Sequence, residues 1–148
     1  MELYHVTELA QKRALWGVFS RYHYLSHTFS AGAKVYVATV NDSLAAFCAV
    51  INFPHPKVDA MRIHRLVVLP AFQGCGVGML LMDYVARLYH KQRKVMFITT
   101  THPALIRAMS KSPHWICFDK GRKGKYGKNS NYKNSSTDRI TTSWRFRP

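Results

Sequence analysis

Acid is what this chain has least of. Seven Asp and Glu stand against 22 Lys and Arg in 148 residues, a net charge of +15. No glutamate follows Glu8, which excludes a glutamate general base on a central strand. Tyrosine is absent between Tyr89 and Tyr126. Cysteine is sparse. Cys48, Cys75 and Cys117 are widely spaced with no CxxC pair, which argues for reduced thiols rather than a disulfide framework. No run approaches the ~18 apolar residues of a membrane span. The best one, Leu44 to Ile51, has strand length. The opening Met-Glu-Leu-Tyr-His lacks the basic-then-apolar pattern of an export signal. The expectation is a cytoplasmic protein with no membrane partner.

The charge that is present is uneven. Residues 1–90 carry 8 basic and 5 acidic side chains, and residues 91–148 carry 14 and 2. The two parts therefore hold +3 and +12. Such an asymmetry points to a polyanionic partner, a nucleic acid. The segment from Asp119 to Lys133 concentrates six cations and two tyrosines. Arg122, Lys123, Lys125 and Lys128 are candidates for phosphate contact, which releases counterions but reads no sequence. Tyr132, with Tyr126, can stack on exposed bases, worth ~1–3 kcal/mol each. The same charge argues against polyamine or aminoglycoside acceptors, which it would repel. Gly, Asn, Ser and Lys dominate residues 120–136, which reads as a long basic, mobile loop within a single domain over 1–148.

Periodicity sets out the elements. Thr7 to Ser20 reads as a helix with Thr7 as its N-cap and an apolar face of Leu9, Ala10, Leu15, Trp16 and Phe19. Lys34 to Val40 and Leu44 to Ile51 read as strands joined by a tight Asn41-Asp42-Ser43 turn. Two prolines in Phe53-Pro-His-Pro56 end the second. Met61 to Leu69 is the next strand and Val77 to His90 a helix. Val95 to Thr100 is a short apolar strand of the buried parallel kind. Pro103 to Lys111 is a helix with proline in its first turn. Trp115 to Asp119 and Ile140 to Phe146 close the set.

One segment carries more than the rest: Leu66-Val-Val-Leu-Pro, then Gln73-Gly-Cys-Gly-Val-Gly78, then a helix. A strand runs into a glycine turn and a helix N-terminus, whose N–H groups lack partners and favour a phosphate. Met79-Leu80 replaces the Lys-Ser/Thr of a Walker loop, and the glycine period is wrong for a dinucleotide fingerprint. What remains, Gln-x-x-Gly-x-Gly after such a strand, resembles the pyrophosphate motif of the GCN5-related N-acetyltransferases. The element order resembles that fold over nearly the full chain. The resemblance implies an α/β fold with a mixed central sheet, splayed parallel strands and flanking helices. It implies acetyl-CoA or another acyl donor, held by Leu66, Val67, Val68 and by Gln73, Gly74, Cys75, Gly76, Val77 and Gly78. Cys75 reads as a small filler, because backbone N–H groups do the binding.

The family's usual leaving-group acid is a tyrosine in the helix after the second parallel strand. Its expected place falls near Met109 or Ser110. Two other constellations draw the eye. Arg21-Tyr-His-Tyr-Leu-Ser-His27 can supply a base, an acid or a metal ligand, with His23 and Tyr24 the pair for an iron or zinc ion whose presence stays open. Thr99-Thr-Thr-His102-Pro103 lies at the C-terminal end of a parallel strand, where open α/β sheets place their sites. Its plainer reading is a helix cap by Thr101 or His102. His-Tyr-Leu-Ser, the glycine loop, Thr-His-Pro-Ala and Ser-Pro-x-Trp are similar to a phage and bacterial branch that includes the Mom-type DNA-modifying proteins. That likeness implies, in a phage or bacterial host cell, addition of a carbamoylmethyl or acyl-type group to the exocyclic amine of DNA adenine. It makes His23, Tyr24, Thr101 and His102 leading catalytic candidates, with Asp119 and Tyr126 behind them. Tyr22, Tyr24 and Trp144 would serve a flipped base. The alternatives are an acetyl-CoA-dependent N-acetyltransferase acting on a protein or ribosomal amine, and an idle nucleic-acid-binding module.

Overall fold

The computed structural model describes residues 1–23, 28–121 and 140–148. Its first element was not expected from the sequence. Glu2–Val6 forms an edge strand, β1. Helix α1 follows at Leu9–Phe19, and its N-cap is Glu8 rather than Thr7, with no side-chain cap bond. A short 3-10 turn at Ser20–Tyr22 leads out of it. Strands β2 (Lys34–Val40) and β3 (Ser43–Asn52) come next. Asn41 and Asp42, at φ 49° and 61°, make the left-handed turn that matches the twist of a two-residue hairpin. Then come β4 (Ala60–Val68), α2 (Val77–Lys91), β5 (Val95–Thr100), α3 (Pro103–Lys111), β6 (Trp115–Asp119) and β7 (Thr142–Phe146).

The strands form one seven-stranded sheet in the order β1-β2-β3-β4-β5-β7-β6. Only β4 and β5 are parallel. Helix α2 connects them, as a crossover between parallel neighbours requires. This is the α/β fold expected from the sequence. Two cores lie on opposite faces. Leu81, Met82, Val85 and Tyr89 of α2 pack on Met61, Ile63, Met96 and Ile98. Trp16 and Phe19 of α1 pack on Val35, Val37, Phe47 and Val67. Cys48 is fully buried in the first core, and burial pushes its thiol up to about 12, so it is an inert filler. Trp144 is also core, 5% exposed, with its indole N–H on Thr142 Oγ1 at 2.8 Å. It cannot stack on a base.

The feature that positions the site is a break in this sheet. β4 and β5 pair from Ala60 with Val95 through Ile63 with Ile98 and no further. Beyond that point β4 continues beside β3 alone, to Val68 opposite Ala46. At the break, Val50 faces Ile63 and Ala49 faces Arg65, so His64 is the extra residue of a β-bulge. A bulge bends and twists its strand. Here it coincides with the place where the parallel pair separates.

Candidate active site

The separated strands form the walls of a cleft of about 800 Å³. One wall is β4 from Arg62 to Val68, the other Ile98 to His102. The floor at one end is the turn from Phe72 to Met79, and α3 contributes Ala104, Leu105 and Ala108. Tyr22 and His23 also line the cleft. Backbone groups on the free edge of β4 can pair with an extended ligand, as an added strand would.

The glycine turn is built for close approach. Gly74 and Gly76 have φ of 80° and 81°, a conformation costly for any residue with a Cβ. Gly76 is the N-cap of α2, and no side chain caps it. The first-turn N–H groups of Val77, Gly78 and Met79 therefore have no side-chain acceptor at the cap, and no acidic residue sits in that turn. A cap of Ser or Asp would compete with an anion; glycine leaves the place to it. Gly78 lies so close to β4 that an added Cβ would meet Val68 Cγ2 at 2.9 Å. Gln73 braces the turn, its amide donating to Val68 O at 3.0 Å. Of the nine donor-binding residues expected from the sequence, eight line the cleft. Cys75 does not; it is exposed, with Sγ 3.9 Å from Gln73 O.

The catalytic candidates separate. His23, Thr101 and His102 all line the cleft. His23 also meets Trp16 edge-on at 5.8 Å between ring centroids. His102 is the N-cap of α3, its Nδ1 accepting from Leu105 N at 3.4 Å, so the plainer reading of that residue holds. Thr101 is buried and its hydroxyl has no partner. A buried hydroxyl without a hydrogen bond is unfavourable. Asp119 stands apart from the cleft. Its carboxylate accepts from Gly121 N at 2.8 Å and closes a turn. Tyr24, Tyr126, Arg122, Lys123, Lys125, Lys128 and Tyr132 lie outside the described residues. Among the described residues, no group of three or more His, Cys, Asp or Glu side chains is placed to hold a metal ion.

Two corrections follow from helix phase and strand register. The cleft face of α3 is Ala104, Leu105 and Ala108, whereas Met109 is fully buried and Ser110 turns its hydroxyl onto Ile106 O. A tyrosine acid on this helix would have to occupy one of those three positions. The second concerns a residue that the sequence reading passed over. His64, the bulge residue, lines the cleft at the splay. Burial and then the charges of Arg65 and Arg62 hold its pKa below the ordinary histidine value, so the imidazole is neutral near pH 7. A neutral imidazole in a cleft is a proton acceptor.

The comparisons with known proteins agree with this geometry. The family model described as Acetyltransferase (GNAT) domain matches residues 31–111, from before β2 to the end of α3. The chain belongs to the GNAT acetyltransferase domain family. No curated protein matches it in sequence. Solved GNAT structures match its fold. A ribosomal-protein-alanine N-acetyltransferase from Brucella melitensis superposes with a TM-score of 0.68 at 12% identity, over 99% of both chains. An Arabidopsis thaliana protein in complex with the bisubstrate analogue CoA-Ac-MVNAL gives 0.73 at 16% identity, over 96% of both. The Salmonella typhimurium yncA protein with its cofactor acetyl-CoA gives 0.67 at 13%, over 99% of this chain and 92% of that one. No helix among the described residues is long and apolar enough to cross a membrane.

Proposed function

We propose that the protein is an acetyl-CoA-dependent N-acetyltransferase whose acceptor is a protein amine. The uncapped glycine turn opening into the cleft between β4 and β5 carries this reading. The N–H groups around Gly76 and Gly78 would hold a pyrophosphate, and the free β4 edge from Leu66 to Val68 an extended amide chain. Bound acetyl-CoA supplies an activated acetyl group, whose transfer makes an amide and frees a thiol. Among the residues of the cleft, His64 would take the proton of the acceptor ammonium. The cleft face of α3, Ala104, Leu105 and Ala108, holds no acid. A thiol of ordinary pKa, about 8.5, needs little protonation to leave near neutral pH.

The acceptor assignment follows the likeness to a ribosomal-protein transferase and to a protein solved with a CoA–peptide analogue. The base-modifying reading draws on His23, Thr101 and His102, which line the cleft, and on Tyr24 and the run from Arg122 to Tyr132, which lie outside the described residues; it takes second place. Calorimetry with acetyl-CoA, followed by thiol release in the presence of peptides with free N-termini, tests the first reading. Absence of acetyl-CoA binding would overturn it. A modified deoxyadenosine in DNA from expressing cells would put the second in its place.

Thr101 offers an independent check. Thr101→Val should raise unfolding stability by about 1 kcal/mol, since it removes a buried unsatisfied hydroxyl. The same change should weaken acetyl-CoA or acceptor binding about five- to tenfold, the worth of one hydrogen bond. Urea melts and calorimetry measure the two effects. A destabilised variant with full affinity would show the hydroxyl to be structural.

A further inference from the structure

The acceptor end of the cleft is cationic. Arg62 and Arg65 line it beside His64 and His23, and among the described residues no Asp or Glu lines the cleft. The two arginines differ in how they are held. Arg65 is tied down: Nε donates to Thr28 O at 3.2 Å and Nη1 to His64 O at 2.9 Å. Arg62 is stacked instead. Its guanidinium lies 5.5 Å over the Phe53 ring, which itself packs on Phe97. Stacking fixes the plane of a guanidinium and leaves its edge donors free to take a carboxylate with two bonds. Among the described residues no carboxylate does so. Among the described residues the one salt bridge is Lys94 to Asp59. A half-buried cation without a counter-charge is costly, and a bound anion relieves the cost.

Building on the acetyltransferase reading, we infer that the acceptor is an acidic N-terminal segment, with Arg62 binding a carboxylate next to the amine that is acetylated. A basic acceptor would meet the same cations as repulsion, so the site selects by exclusion as well as by attraction. The excess of +12 over residues 91–148 draws an acidic partner toward the chain at longer range.

The test uses three peptides with free N-termini, Ala-Asp-Asp, Ala-Gln-Gln and Ala-Lys-Lys, on one common tail. Thiol release at saturating acetyl-CoA gives kcat/KM. The acidic peptide should exceed the basic one by about tenfold or more, with the ratio falling as salt is raised. Arg62→Gln should bring the ratio toward one, and Arg62→Glu should invert it. Acetyl-CoA affinity, read by calorimetry, should be unchanged in both and shows that they fold. Equal rates, a preference for the basic peptide, or an acidic preference that survives Arg62→Glu would each overturn the inference. So would acetylation of glucosamine 6-phosphate with no turnover of any peptide. A protein that binds no acetyl-CoA brings down the acetyltransferase reading first, and this one with it.

Discussion

Gly78→Val is expected to abolish acetyl-CoA binding, lowering affinity by ~100-fold or more while the fold survives. The reason is steric and local. A Cβ at position 78 would lie 2.9 Å from Val68 Cγ2, closer than real carbon atoms approach. The first turn of α2 would have to lift off the end of β4. Overpacking of this kind costs ~1–3 kcal/mol of stability. Displacing a binding backbone by about 1 Å costs roughly 10²-fold in function. Gly76 sets the approach of the same turn, so the displacement reaches the N–H groups that would hold the phosphates. The check is a rescue. Gly78→Ala combined with Val68→Ala removes the clash, and acetyl-CoA affinity should return to within a few-fold of the parent. If Gly78→Val binds normally, the turn is not the phosphate cradle.

His64→Ala should lower kcat/KM by ~10²–10⁴-fold, the usual contribution of a general base. Its pH signature is specific. The neutral imidazole is the working form, so activity is full above the His64 pKa and is lost as pH falls through it. Burial and the two neighbouring arginines place that pKa below the ordinary histidine value of about 6.5. The parent enzyme should therefore keep its activity at pH 7 and decline only on the acid side of about 6.5. His64→Ala should lose that acid limb and leave acetyl-CoA affinity alone. A variant equally active, or one that keeps the limb, would move the base to another residue of the cleft, with His23 next.

Much of this architecture is legible in the residues. β2, β5, α3 and β6 have the bounds that alternation, proline and apolar runs indicate, and β3, β4 and α2 differ by a residue or so at their ends. The glycine turn is legible because its chemistry is backbone chemistry, and glycines at 74, 76 and 78 leave few other readings. β1 is not. It is an edge strand of five residues, and Tyr4 on it is largely exposed, so its hydrophobic alternation is weak. The cleft face of α3 is less legible, because counting along the helix does not give its rotation. That is set by the His102 cap and by Met109 entering the core. His64 was passed over for a deeper reason. Arg-Ile-His-Arg-Leu reads as an ordinary strand, and a bulge exists only relative to a partner. The register of β3 against β4 is a property of two segments, and neither one shows it alone.

The bulge also bears on how little separates this cleft from a closed sheet. β4 holds one residue more than β3 can match. Strike out His64, and Ile63 would be followed directly by Arg65. Ile63, Leu66 and Val68 would stay on the α2 side and Val67 on the α1 side, where they already pack. No core contact would need to change partners. The shortened chain of a His64 deletion should thus fold, zip β4 further along β5, and bind no acetyl-CoA. On this reading a single codon would stand between a binding cleft and an inert scaffold, and the same codon encodes the proposed base.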